Sequence, residues 1–326
     1  MNLNLYNKKM ERVAAIGDHF VSCLWVEEYN SNGNFSLELN ATKEYLEKIK
    51  TDFFVGRSDR KTIMVIKSVM YKDGKIIAAG SQATQILDDV GFVGTIDLGV
   101  NIDTAIKNAY NDSNKFDFLV IDDGNVNEVT NQEIKAGQLG EIAKNFCVST
   151  DTGIKAIREG KKIHIIFYKP EKKENLIFSE KYGNVKINSV LSSTIGYKNF
   201  AVCIYKTKDD IEKVIELDRT NGEEKRVLIV DASSIGWEES DTTESYEEKV
   251  KVFASGELDN CKKIVDCEFS PYAKGFGTEY DIGDILTVVE HEKSFKIQSR
   301  VVRFTQKAQN NRTTTSIDIG EIIFKR

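Results

Sequence analysis

Apolar and polar residues alternate from Phe20 to Tyr29 ("FVSCLWVEEY") and again from Phe35 to Asn40 ("FSLELN"), on either side of the turn-prone "NSNGN". A period of two broken by such a turn predicts a β-hairpin buried on one face. A second hairpin is expected where "KTIMVIKSVMY" and "KIIAAG" flank Asp73-Gly74, a pair that tolerates the positive φ values of a tight two-residue turn. Between the two hairpins, "TKEYLEKIKT" predicts a short helix capped by Thr42, with Tyr45, Leu46 and Ile49 on one face.

From about Ile102 to Arg158 the period changes. "NIDTAIKNAYND" and "NQEIKAGQLGEIAKNFC" space their apolar residues by three and four, which predicts two helices separated by a polar loop around "DDGNVN". Strand patterns return with "KKIHIIFYK", "NLIFS", "NVKINSVLSS", "KNFAVCIYK", "IEKVIELD" and "KRVLIVDAS". Next, "TTESYEEKVKVFASGELDN" reads as an acidic surface helix whose inward residues are Val250, Phe253 and Leu258. The closing strands are "CKKIVDCEFS", "DILTVVEH" with "SFKIQSRVVRFTQ", and "TTTSIDIGEIIF". The pattern defines a mainly β protein with helical insertions, an α+β chain whose antiparallel β architecture is interrupted twice by helices. Residues 1–100 read as an N-terminal β domain, 101–160 as a helical connector, and 161–326 as a second β domain with the acidic helix near 239–259.

Composition narrows the classes. A chain of 326 residues makes about two domains, or one large one, and can bury a core without metal or disulfide staples. Hydrophobic residues at 40%, charged residues at 29% and a net charge of −6 suit a soluble globular protein and argue against a surface built to neutralise phosphates. No stretch reaches the ~20 consecutive apolar residues of a membrane-spanning helix, and "MNLNLYNKKMERVAAIG" lacks the features of a secretory signal. Synthesis and initial residence in the cytoplasm are expected. The five cysteines, at 23, 147, 203, 261 and 267, have no zinc-like spacing and are expected to be reduced and mostly buried.

Candidate chemistry centres on "TEYDIGDILTVV", where Asp281, Gly283 and Asp284 stand directly before a β-branched run. Such a cluster serves either as a metal or catalytic site or as a polar turn entering a strand. His19, His164 and His291 are isolated from one another and are read as packed or half-exposed residues. The chain has no G-x-S-x-G elbow, phosphate-binding loop or dinucleotide fingerprint. Its many Asp and Glu residues make any one carboxylate pair uninformative. "EESDTTESYEE" is read as a solvated helix start, and the arginines of "GRSDRK" and "NNRTTT" as solvated turn residues. Accordingly no catalytic, cofactor-binding or metal-binding residue is assigned, and no cofactor is expected.

The stretch "YAKGFGTEYDIGDILTVV…RVVRFTQ…TTSIDIGE" resembles the closing segment of the tail-hub family of phages and prophages of Gram-positive bacteria. Tyr280, Asp281, Ile282, Gly283, Asp284, Leu286 and Thr287 stand in that family's pattern, with Glu279-Tyr280 in place of its Asp-Tyr order. Arg300 to Thr305 and Ile319-Gly320 follow in sequence. "WVEEYNSNGNFSLELN", "IFSEKYGNVKINSVLSSTIGYKNFAVCIY" and "GEEKRVLIVDAS" are similar to its earlier segments, so the likeness spans most of the chain. The motifs are structural in content: glycine in "DIGD" supplies a backbone shape, and the flanking aspartates can hydrogen-bond the turn's amides. Tyr29, Gly33, Gly183 and Asn184 are read in the same way.

The resemblance implies assembly. It implies two tail-tube-like β-barrel domains per chain, and a homotrimeric ring under the six-fold tail tube that connects the tube to a trimeric spike or tip. The tape-measure protein and other baseplate proteins are further implied partners, in a phage virion tail or a bacteriocin-like particle assembled in the bacterial host cytoplasm. No enzymatic activity, membrane contact or specific nucleic-acid binding is implied. The competing readings are a tail-associated cell-wall hydrolase or carbohydrate-binding tail protein, and a stand-alone β protein that binds a small ligand. Tyr197, Trp237 and Tyr246 are too dispersed to favour sugar binding, and Trp25 and Trp237 are read as core or interface anchors.

Overall fold

The computed structural model describes residues 1–113, 115–238, 241–262, 264–290, 295–310 and 312–325, at 190, 192, 264–268, 295, 321 and 323–325 by their backbone alone. Strands β1 (Leu3–Tyr6), β2 (Arg12–Gly17), β3 (Ser22–Glu28) and β4 (Asn34–Asn40) precede helix α1 (Lys43–Lys48), and β5 (Phe54–Arg57), β6 (Ile63–Lys72), β7 (Lys75–Gln82) and β8 (Gly91–Val93) follow it. The middle of the chain forms α2 (Ile102–Asn111), β9 (Leu119–Ile121), β10 (Ala136–Gln138), α3 (Leu139–Thr150), β11 (Gly153–Glu159), β12 (Lys162–Tyr168), β13 (Lys172–Phe178) and β14 (Val185–Ser193). Then come β15 (Phe200–Lys206), β16 (Glu212–Asp218), β17 (Val227–Asp231) and α4 (Thr243–Asp259). Strands β18 (Ile264–Pro271), β19 (Ile285–Glu290), β20 (Phe295–Gln309) and β21 (Arg312–Lys325) complete the order.

Both expected hairpins form. Strand β3 pairs antiparallel with β4, and β6 with β7, where Asp73 and Gly74 adopt φ of +51° and +70°. Thr42 caps α1 by accepting from the Tyr45 amide, but Leu46 is 52% exposed. A six-residue helix has fewer than two turns, and here the chain buries Ile49, just past its end, instead. Helix α3 starts at Leu139, later than the sequence pattern suggests, because Ala136–Gln138 pairs with β8.

The largest sheet has the strand order β13-β19-β20-β3-β4-β7-β6-β5-β1-β2, with β21 also on β20. Its branch point is β20, 15 residues long, whose first part pairs with β19 and whose last part pairs with β3, while β21 runs along the opposite edge. Among the described residues this path does not close on itself. Some pairings among the described residues depart from the expected antiparallel architecture: β12 with β9, β13 with β19 and β15 with β17 are parallel. Each joins strands separated by other elements, a connection that a tight hairpin cannot make and a crossover can.

By compactness the chain divides into Met1–Lys186 with Phe269–Arg326, and Ile187–Glu268. Strands β14 and β18, which pair with each other, each run across a boundary between these units. In the larger unit, the apolar stripes of α2 (Ile102, Ile106, Ala109) and α3 (Leu139, Ala143, Phe146) share one buried cluster with Phe54, Ile63 and Val65 of the large sheet. Ile154 and Ala156 of β11 and Ile163, Ile165 and Phe167 of β12 belong to the same cluster.

In the smaller unit, α4 covers one face of the β16-β15-β17 sheet. Its inward residues are Tyr246, Val250, Ala254 and Leu258, an unbroken spacing of four, whereas Phe253 is 37% exposed. Position 253 lies one residue before that stripe, about 100° around the helix. Thr242 and Ser245 form a reciprocal capping box at the start of α4. Replacing Thr242 with Ala is expected to destabilise this unit by about 1 kcal/mol, read as a lower denaturant midpoint.

Candidate functional site

The stretch Asp281–Asp284 is a turn held from every side. Gly283 has φ of +93°. Asp284 accepts from the Asp281 amide through one oxygen (2.9 Å) and from the Glu171 amide through the other (3.0 Å), and the Asp281 carboxylate accepts from the Ile282 amide at 3.0 Å. Arg300 donates to the Gly283 carbonyl (2.8 Å) and to Asp151 (2.6 Å) while stacking over Tyr29. Tyr168 donates to the Ile282 carbonyl and Tyr29 to that of Thr152. Burial pushes the Tyr29 phenol up to about 12, which keeps it a hydrogen-bond donor. Both aspartates therefore shape the turn: each Asp284 oxygen accepts from a backbone amide, and one Asp281 oxygen accepts from the Ile282 amide and from Arg60.

Beside this turn lies a cluster that the pattern of solvated turn arginines did not anticipate. Of the arginines of "GRSDRK", Arg57 is buried and Arg60 largely so, with side-chain exposures of 2% and 11%. Arg60 grips Glu27 with two hydrogen bonds of 2.8 Å and Asp281 with one of 2.9 Å. Glu27, only 2% exposed, also accepts from Trp25 Nε1 (2.9 Å) and Thr62 Oγ1 (2.8 Å). Burial works against the Arg60 charge, but Glu27 and Asp281 outweigh it and raise its pKa, so the guanidinium stays protonated. Arg60 stacks over Phe276, whose ring lies parallel to that of Phe304 with centroids 4.4 Å apart. Arg57 pairs with Asp59 and lies over the Trp25 and Phe304 rings.

These groups border an open cleft of about 1320 Å³. Its other wall carries Lys155, whose ammonium lies 4.8 Å over Tyr168, and Arg158, stacked 4.3 Å over Tyr6. The cluster binds three stretches far apart in sequence, β3, the β5–β6 connection and the loop before β19, through charge-assisted hydrogen bonds. Chemically it is a clamp: the Glu27 oxygens are engaged by four donated bonds and have little access to solvent. One sequence signal that the reading above passed over could have found its acidic half. Cys23, Trp25 and Glu27 share one side of β3, so a carboxylate stood at an inward position of an apolar strand and called for a buried cation.

His19 is exposed, His164 is half-buried with Nδ1 2.8 Å from Asp122, and His291 lies outside the described residues. Cys23, Cys147 and Cys203 are free and buried, Cys261 is partly exposed, and the Cys267 side chain is outside the described set. Asn184 bridges the Ser179 amide and the Ile177 carbonyl, and Gly183 supplies a left-handed cap. Trp25 is fully buried and Trp237 packs on Tyr246. No group of three or more potential metal ligands is assembled among the described residues, and none of their helices is long and apolar enough to cross a membrane.

The fold is that of prophage tail proteins. The 43 kDa tail protein of prophage MuSo2 from Shewanella oneidensis matches with a TM-score of 0.55 at 12% identity, covering 98% of each chain. Prophage tail protein gp18 from Listeria monocytogenes matches at 0.53 and 14%, covering 98% of this chain and 94% of the other. The tail protein from Neisseria meningitidis matches at 0.52 and 11%, covering 98% and 96%. Residues 2–321 match the model of the Siphovirus ReqiPepy6 Gp37-like proteins, and the chain belongs to that phage family. No curated protein matches the sequence.

Proposed function

We propose that the protein is a structural hub of a phage or prophage tail, three copies of which form a ring joining the six-fold tail tube to a trimeric spike or tip. The observation that carries this reading is the family match over residues 2–321, with a fold likeness to tail proteins that extends over 98% of the chain. Two tube-like domains per chain, residues 1–100 and 161–326, would give six modules in a trimer and match the tube's symmetry. Closed rings are the usual outcome of repeated head-to-tail contacts, since they leave no interface unsatisfied. The tube protein, the spike, the tape-measure protein and other baseplate proteins are its partners, within a virion tail assembled in the host cytoplasm. Its role is non-enzymatic. Glu27 and Asp281, the carboxylates beside the cleft, are tied together by Arg60 in a structural clamp, which supports this reading.

Reconstruction of the assembled particle tests the proposal. Three copies around the tail axis, directly below the tube, are expected; six copies in that layer, or absence from the axis, would refute it.

A further inference from the structure

We infer that the outer face of the β16-β15-β17 sheet is a docking surface for a basic, apolar segment of a partner protein. This inference stands on the smaller unit alone and does not rest on the hub reading.

Strand register fixes which residues share that face. Helix α4 covers the side bearing Ala201, Cys203, Tyr205 and Val230. Side chains alternate across a sheet, so Val202 and Ile204 point the other way, beside Ile229 and Val214, their respective partners in the register. Val227 lies on the same side as Ile229. Val214 is 54% exposed, Ile229 62% and Val227 38%, which makes a contiguous apolar patch across all three strands. Val202 and Ile204 between them are half-buried, and at one end of the face Phe200 is buried with Lys225 over its ring.

Charge decides what fits. Glu216 lies opposite Val202, Asp231 opposite Ile204, and Glu212 and Asp218 stand at the two ends of the same side of β16. All four carboxylates are exposed; Lys206 stands opposite Glu212 and Lys225 acts on Asp218, while Glu216 and Asp231 at the centre have no such cation among the described residues. Hydrogen bonds from Thr220 and Ser233 hold Asp218 and Asp231 below the usual carboxylate range, so both are ionised. Lys206, at the end of this face, is already held by Asp210. An apolar centre with an acidic rim repels nucleic-acid phosphates and anionic lipid surfaces, and a second copy facing it with the same patch would set carboxylates against carboxylates. A segment bearing Lys or Arg beside Val, Leu or Ile satisfies both parts. The protein supplies a local precedent: the Lys225 ammonium lies 3.3 Å over the Phe200 ring, at the end of β15.

The test uses the full chain and two labelled synthetic peptides, one alternating Lys with Val and one alternating Glu with Val, followed by fluorescence anisotropy. The Lys peptide should bind at least about tenfold more tightly than the Glu peptide, and more weakly as salt is raised. The double variant Glu212→Lys/Glu216→Lys should lose that preference, and Val214→Ser/Ile229→Ser should weaken the Lys peptide about tenfold. Methyl NMR of the wild-type protein provides a check that needs no variant: Val202, Ile204, Val214 and Ile229 should shift on adding the Lys peptide. Equal affinity for the two peptides, Lys-peptide binding unchanged in both variants, or unmoved methyls would overturn the inference. So would a duplex oligonucleotide or anionic vesicles whose binding is lost in the same variants.

Discussion

Valine at position 283 is expected to cost the larger unit about 2–4 kcal/mol of stability, read as a lower denaturant midpoint with unchanged slope. Two effects add. A φ of +93° strains any residue with a Cβ, and a Cβ built there would lie 2.9 and 3.0 Å from Tyr29 ring carbons and 3.1 Å from Tyr168 Oη. Neither ring can yield easily, because Tyr29 is bonded to the Thr152 carbonyl and Tyr168 to that of Ile282. Gly74→Ala separates the two effects: its φ is +70° but nothing lies within 4 Å, so a loss of only about 1 kcal/mol is expected. If both variants cost the same, the close approach of Tyr29 has no energetic role.

Removing the Arg60 guanidinium should be at least as damaging. Arg60→Ala leaves Glu27 buried without its cation and uncovers one face of Phe276, an expected loss of about 3–5 kcal/mol in equilibrium unfolding. Arg60→Lys should recover part of this, since an ammonium keeps the charge but cannot reproduce the planar fork across Glu27 and Asp281. The double replacement Glu27→Gln/Arg60→Met should cost less than Arg60→Ala alone, because no unpaired buried charge remains. A loss below about 1 kcal/mol in Arg60→Ala would show that the clamp contributes no more than a surface ion pair.

Local signals in the sequence reported local structure well. The hairpin at Asp73-Gly74, the Thr42 cap and most strand segments follow from alternation and turn chemistry acting over a few residues. Long-range pairing left no such trace. Nothing in "RVVRFTQ" specifies that it lies beside "CLWVEE", because one β-branched strand edge offers the same row of amides and carbonyls as another. The burial of Arg57 and Arg60 was hidden for a related reason. "GRSDRK" has the composition of a solvated turn, and its interior position depends on Trp25, Glu27 and Phe304, which other parts of the chain bring to it. The turn at Gly283 was legible as a turn, while the two tyrosines that crowd it come from positions 29 and 168.

The junction of β3 with β20 also sets a schedule for biosynthesis. Glu28 and Arg303, which form an ion pair across that seam, are 275 residues apart, so at about 5–20 residues per second the ribosome needs on the order of tens of seconds to deliver the second after the first. Throughout that interval the nascent chain holds β3, with Trp25 and Val26, as the raw margin of a half-built sheet. Slow arrival of the last strands would prolong the period in which nascent chains on neighbouring ribosomes can join at that margin. Yield of soluble protein should therefore depend on translation speed late in the message more than early.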